Sequence, residues 1–215
     1  MLERFPNVCF LAPERVYVSD EAQIEEGAVI YPDNYICGKT IIGAGAILLP
    51  ENILEDAVIG AGARIEKSVV RGACVGENCT VGPYAHLRKG TDIGKNCRVG
   101  DFVEIKNSNI GAGTKISHLA YVGDAEVGEN CNIGCGVIFC NYDGKHKHRT
   151  RVGNNCFIGS NVNLVAPLCL EDNVFVAAGT TVTEGAGNGD FVIGRVRQQI
   201  RTGGASKFFG GKKNE

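Results

Sequence analysis

Residues 75–105 read VGENCT VGPYAH LRKGTD IGKNCR VGDFVE I, and this stretch decides the fold. An aliphatic residue opens each group of six: Val75, Val81, Leu87, Ile93, Val99 and Ile105. Gly follows several of them, at Gly76, Gly82, Gly94 and Gly100. Four places on stands a small or branched residue: Cys79, Ala85, Cys97 and Val103. A period of six fits neither a helix nor a lone two-sided strand. It fits a prism with three flat faces and about three hexads per coil, whose coils bury their inner surface only by stacking. The aliphatic and small residues point inward, and Gly and Asn fall at the corners, where left-handed backbone is cheap for them.

Working outward, the pattern restarts at Val152, Ile158, Leu164, Leu170, Val176 and Val182, with Cys156, Val162, Leu168, Val174 and Thr180 as the companions. It is also present early, at Val18, Ala22, Ile24, Ala28, Ile30, Ile36, Thr40, Ile42 and Ala46. The register slips near Ile53, Val70, Ile110 and Val127. It breaks between Phe139 and Val152, 13 residues apart, so residues 141–151 are expected to form an extruded loop. Loops inserted in a solenoid are where function usually sits. The fold class is therefore all-β, a parallel β-helix of hexapeptide repeats with one extruded loop. Residues 1–14 form a lead-in, 15–186 the β-helix domain, and 187–215 an arm ending in a mobile Gly/Lys-rich tail from Gly203.

Composition agrees. Gly makes up 30 of 215 residues, Trp is absent, Met occurs once, and aromatics are 7%. Many tight turns around small core residues need such a makeup. Net charge is −2, so neither nucleic acid nor an anionic membrane is expected as a partner. No apolar run is long enough to cross a bilayer, and Met1 to Pro13 lacks a secretory layout. Four of the ten cysteines recur in one phrase, as GENC, GKNC, GENC and GNNC at Cys79, Cys97, Cys131 and Cys156. Such repetition predicts small buried side chains rather than a metal site, and reduced thiols point to the cytoplasm.

Polar residues interrupt the pattern between Arg88 and Lys147: Arg88, Glu104, Lys106, His118, Tyr121, Asn132, Asn141, Tyr142 and Lys147. Arg88 and Lys106 are 18 residues apart, one coil, so they should stack on one face roughly 5 Å apart. Two cations so placed suit a phosphate, or form a solvated basic face. His118 is a base or a structural histidine. His146 and His148 fall in the loop, where they are expected to be solvated; no metal site is expected.

The segment from Gly82 to Thr150 carries a closer resemblance. The phrases VEIK, ISHLAYVGDAEVGENCNIG, CNYDG, LVAP and AAGTTVTEG lie in matching order and spacing over about residues 12–197. They resemble the C-terminal acetyltransferase domain of bacterial N-acetylglucosamine-1-phosphate uridylyltransferase/glucosamine-1-phosphate N-acetyltransferase. The resemblance implies a left-handed coil, a cytoplasmic homotrimer with sites built from adjacent subunits, and acetyl-CoA as co-substrate without a metal. It makes His118 the general base and Glu104 an acid near the acceptor amine. It makes Arg88 and Lys106 sugar-phosphate ligands, Tyr121 and Asn132 sugar contacts, and Lys147 an active-site loop lysine. Asn141 and Tyr142 match acetyl-CoA contacts; Cys135, Ser160, Ala178 and Arg195 match coenzyme A contacts.

The implied reaction is acetyl transfer to the amine of glucosamine-1-phosphate, yielding N-acetylglucosamine-1-phosphate for UDP-N-acetylglucosamine synthesis. The residues also admit an acyltransferase for another amino-sugar phosphate or nucleotide sugar, or a non-catalytic sugar-nucleotide-binding scaffold. The sequence departs from the family in three places. Nothing resembles its Gly-rich nucleotidyltransferase domain, so no uridylyl transfer is expected, and that activity could belong to a separate partner. Cys135 stands where Ala is usual, and His146 where Asn is usual, while the tail diverges after Arg195.

Overall fold

The computed structural model describes residues 2–209. The chain winds as a left-handed parallel β-helix with three faces. Face one stacks eleven short strands, from Cys9–Phe10 to Phe191–Val192. Face two stacks ten, from Val16–Val18 to Thr181–Val182, and face three stacks nine, from Gln23–Ile24 to Leu168–Leu170. The chain visits the faces in rotation, so strands pair with the third strand before and after them, up to the last pair on face one, which are two strands apart. Facing partners are the expected ones: Val81 lies beside Val99, Leu87 beside Ile105 and Ile93 beside Ile110.

Inside runs one continuous column of Ile, Leu and Val. Cys79, Cys97, Cys131 and Cys156 are buried as the repeat predicts. Each buried thiol donates to the corner carbonyl of the next coil: Cys79 to Gly94, Cys97 to Gly111, Cys131 to Gly153 and Cys156 to Glu171, at 3.0–3.1 Å. Thr114 fills the same place with its hydroxyl, donating to Gly128 at 2.7 Å. The position thus wants a small side chain with one donor, which explains why Cys recurs there. Burial pushes the Cys131 thiol up to about 11, so it is inert at neutral pH. All ten cysteines are free.

The slips are faces of five residues instead of six. They run Leu54 to Ile59, Ile65 to Val70, Val70 to Val75, Ile105 to Ile110 and Val122 to Val127. Leu54 is the inner residue at the first of these, and Ile53 faces out. Each short face turns on one left-handed residue: Asp56, Lys67, Gly72, Asn107 or Asp124, with φ between 42° and 53°. One residue makes a tighter corner than the two-residue turn of a full hexad. At the corner between faces one and two, bulky residues adopt the same conformation: Tyr84, Phe102 and Leu119, all exposed. Such backbone costs on the order of 1–3 kcal/mol per residue and tends to gather at functional sites.

The chain leaves the coil after Cys140 and rejoins it at Thr150. A last parallel pair, Phe175 with Phe191 and Val176 with Val192, extends face one into the C-terminal arm. Ser206–Phe209 forms a single helical turn, and residues 210–215 of the expected mobile tail lie outside the described residues.

Candidate functional site

Face two collects most of the expected residues. Strands His86–Leu87, Glu104–Lys106 and Tyr121–Gly123 lie side by side, placing His86, Glu104 and Tyr121 in one outward row. Arg88 follows Leu87 as Lys106 follows Ile105, so the two cations stand on neighbouring coils as the 18-residue spacing requires. Arg88 Nη1 donates to Glu104 Oε1 at 2.7 Å. Lys147 reaches the same place from the loop. Its amine crowds that of Lys106, and this close like charge holds Lys106 below its ordinary value. Cations crowded this closely form a place where an anion would be stabilised.

Asp124 underlies this cluster. It stands at a tight corner, 7% exposed, between two amides on adjacent coils. Asn107 Nδ2 donates to Oδ1 and Asn141 Nδ2 to Oδ2, each at 2.5 Å. Burial pushes the carboxyl up, but these hydrogen bonds and the charges of Lys106 and Lys147 together outweigh it and hold it below its ordinary value. Asn141 is buried, so its side chain pins the start of the loop. Gly123 lies beneath: a Cβ there would collide with Tyr121 Oη and Asn141 Nδ2.

Because Asp124 has the lower value when folded, its ionised form stabilises the native loop base above about pH 4. That contribution fades as pH falls through the folded-state value. Asp124→Asn brings an amide against two amide donors. It is expected to cost about 1–3 kcal/mol and to speed protease cleavage within residues 141–149 at neutral pH. Unchanged cleavage would show that Asp124 does not anchor the loop.

The loop itself is a closed hairpin. Tyr142 pairs with Lys147 across it, and the His148 N–H donates to the Asn141 carbonyl at 2.8 Å. Asp143 Oδ1 accepts from the Lys145 and His146 N–H groups at 2.7 Å, and Oδ2 meets His148 Nε2 at 2.8 Å. The His146 N–H foremost, then His148 and the Lys145 N–H, hold the Asp143 carboxyl down to about 2. His148 is therefore a loop strut, and Tyr142 is exposed at the loop's outer side.

His118 stands at the corner where face one meets face two. Its Nδ1 lies 2.6 Å from Asp101 Oδ1, one coil below. The carboxylate beside this histidine is thus that of Asp101, while Glu104 is committed to Arg88. Gly100 permits the approach: a Cβ there would collide with the Ser117 carbonyl. A groove of about 260 Å³ opens beside the pair on face one, lined by Arg64, Thr80, Arg98, Asp101, Ser117 and His118 among others. Continuing the register upward, Cys135, Ser160 and Ala178 occupy the same corner position on successive coils. Arg195 Nη1 donates to the Ala178 carbonyl at 2.9 Å, joining the arm to that column. Asn132 lies around the corner on face one, between Lys115 and Phe157.

So the fold gathers Arg88, Glu104, Lys106, Tyr121, Asn141 and Lys147 over face two, with His118 at its leading corner. It sets Cys135, Ser160, Ala178 and Arg195 in a column rising from His118, and leaves Asn132 and Tyr142 apart. Sequence reasoning missed Asp101 and Asp124, whose only signal is a spacing of one coil from His118 and from Asn107 and Asn141. It also missed the stacked rings of Phe157, Phe175 and Phe191 above Asn132, with centroids 4.6 and 5.6 Å apart. A concavity of about 600 Å³ on face three holds none of the expected residues; the Arg151 and Glu126 that line it pair with each other at 3.0 Å. Among the described residues no three His, Cys, Asp or Glu side chains gather to hold a metal, and no helix is long and apolar enough to cross a membrane.

A family model described as the GMPPB C-terminal domain matches residues 12–91 and 71–186. Bifunctional protein GlmU of Clostridium acetobutylicum is 48% identical over 195 residues, covering 91% of this chain and 43% of that protein. Bifunctional protein GlmU of Carboxydothermus hydrogenoformans is 48% identical over 192 residues, again 43% of its length. The chain thus spans less than half of the relatives it matches, and what it matches is their C-terminal part. Among solved structures, UDP-N-acetylglucosamine acyltransferase of Francisella novicida aligns with a TM-score of 0.56 at 17% identity, over 90% of this chain and 72% of that one. LpxA of Bacteroides fragilis aligns at 0.50, over 82% and 69%. These two show a shared fold.

Proposed function

Because the chain belongs to the family described as the GMPPB C-terminal domain and corresponds to the C-terminal part of Bifunctional protein GlmU, we propose that it is an acetyl-CoA-dependent N-acetyltransferase acting on glucosamine-1-phosphate. The observation that carries this reading is the knot of cations on face two, Arg88, Lys106 and Lys147, within one face's width of the His118–Asp101 pair. An amino-sugar phosphate offers an anion for the cations and an amine for the base, joined by a short rigid ring.

In this reading Arg88 and Lys106 hold the phosphate, and Lys147 closes over it from the loop. Binding energy spent on the phosphate places the 2-amine for attack. His118 Nε2 takes the proton as the amine nitrogen bonds to the thioester carbonyl carbon. Backbone N–H groups at the coil corner stabilise the developing oxyanion. When the carbon–sulfur bond breaks, the imidazolium returns its proton to the leaving thiolate, giving N-acetylglucosamine-1-phosphate and coenzyme A. Tyr121 and Asn132 would hold the sugar. Cys135, Asn141, Tyr142, Ser160, Ala178 and Arg195 would hold acetyl-CoA along the corner column and the loop. Asn132 lies around the corner from the cations, which favours a site shared between adjacent copies of a trimer. A cytoplasmic setting fits ten free thiols.

The test is acetyl transfer to glucosamine-1-phosphate by the purified protein, read by mass. Product with this amine and little with other amino-sugar phosphates supports the reading. Transfer only to another amine moves the acceptor, and absence of acetyl-CoA binding overturns it. Each of Arg88→Ala and Lys106→Ala removes a charge-assisted contact worth about 1.5–3 kcal/mol. Each is therefore expected to raise the KM for the sugar phosphate roughly 10- to 100-fold and to leave the KM for acetyl-CoA nearly unchanged.

A further inference from the structure

We propose that Asp101 is a positioning residue that fixes the tautomer and direction of the His118 ring, which rests on the reading of His118 as the base. The two residues occupy one corner position on consecutive coils, so the backbone ladder sets their separation. Asp101 Oδ1 meets His118 Nδ1 at 2.6 Å, a charge-assisted length. The hydrogen bond to His118, foremost, holds the Asp101 carboxyl below its ordinary value, so it is ionised at neutral pH and can only accept. His118 must then carry its proton on Nδ1, which leaves Nε2 bare for a substrate proton.

The surroundings hold this geometry on each side. Gly100 lets the Asp101 backbone lie against Ser117, since a side chain there would collide. Phe102 and Leu119, the residues after Asp101 and His118, are both left-handed with φ of 54° and 48°. The chain therefore turns the same way after each residue, and the two side chains leave the corner in parallel. Phe102 is further braced by Tyr84, whose ring stacks on it with centroids 5.3 Å apart. The carboxylate also faces the imidazolium formed during transfer and stabilises it, an arrangement that an uncharged partner cannot reproduce.

Asp101→Asn replaces an acceptor with an amide that can donate to Nδ1, inviting the opposite tautomer. Turnover is expected to fall about 10²- to 10³-fold, with both KM values within about twofold of native. Nitrogen-15 NMR of the His118 ring is expected to show the proton on Nδ1 in the native protein and on Nε2 in the variant. Asp101→Glu keeps an acceptor, so it should retain the native tautomer and lose less turnover than Asp101→Asn. Native turnover in Asp101→Asn, an unchanged tautomer, or equal losses in the two variants would overturn the proposal. The NMR readout stands without any activity: if the native protein transfers acetyl to no amine, the functional reading fails while the Asp101–His118 coupling is still decided.

Discussion

His118→Ala is expected to lower kcat for acetyl transfer by about 10²–10⁴-fold, the usual contribution of a positioned general base. The side chain is exposed at a corner, and its side-chain hydrogen bond runs to Asp101. Its removal opens no cavity, so the melting temperature should stay near native while activity collapses. Binding of acetyl-CoA should also persist, because the column above it, Cys135, Ser160 and Ala178, is untouched. Turnover within about threefold of native would remove His118 from the reaction. A large fall in the melting temperature would instead make it a structural residue of the corner.

Phe139→Ala carries the other large effect, and it falls on the fold. Phe139 is the largest fully buried side chain, 0% exposed on face two. It pairs with Leu164 above and lies beside Val122 below. Elsewhere in the column the inner residue is Ile, Leu or Val, so Phe139 fills width that no neighbour can reach. Truncation of a buried Phe costs about 3–5 kcal/mol, since closely stacked coils cannot collapse into the gap. In a chain of this size that corresponds to a fall of roughly 6–20 °C in the melting temperature. Asn141 lies two residues on, so the loop base should loosen along with it. A shift under about 2 °C would mean that the interior repacks freely.

Much of this architecture can be read from the letters because a solenoid is nearly one-dimensional. Each inner aliphatic residue is chosen by the coil beside it, and the same choice recurs down the chain. Leu87 and Ile105 advertise their contact by spacing alone. The five-residue faces are harder to read, since a tight corner needs only one tolerant residue. Asp56, Asn107 and Asp124 are common on any surface, and Lys67 carries no turn signal at all. The site divides in the same way. Arg88, Lys106 and His118 can be read because they stand in LRKG, VEIK and SHLAYVGD, phrases that carry the family resemblance. Asp101 and Asp124 cannot, because exposed Asp recurs along this chain, as at Asp20, Asp92 and Asp190. What distinguishes them is a partner 17 residues away, and that distance gains meaning only once the coil length is known. The outward rings of Phe157, Phe175 and Phe191 are hidden likewise: each alone is one exposed aromatic, and only the register makes them a stack.

The parallel ladder has a genetic consequence. Leu54 faces Val70, Val70 faces Leu87 and Val81 faces Val99, so one coil is 16, 17 or 18 residues. Gain or loss of one whole coil leaves every later residue facing the direction it faced before. Gain or loss of a single hexad turns everything downstream by a third of a revolution relative to the coils beneath. Residues up to Leu48 bear none of the expected site side chains. Heritable changes of length in this lineage should therefore come in whole coils and fall before Arg88, where they lengthen or shorten the stack without disturbing its chemistry. Between Arg88 and Arg195, where contacts join successive coils, the gene has no such freedom.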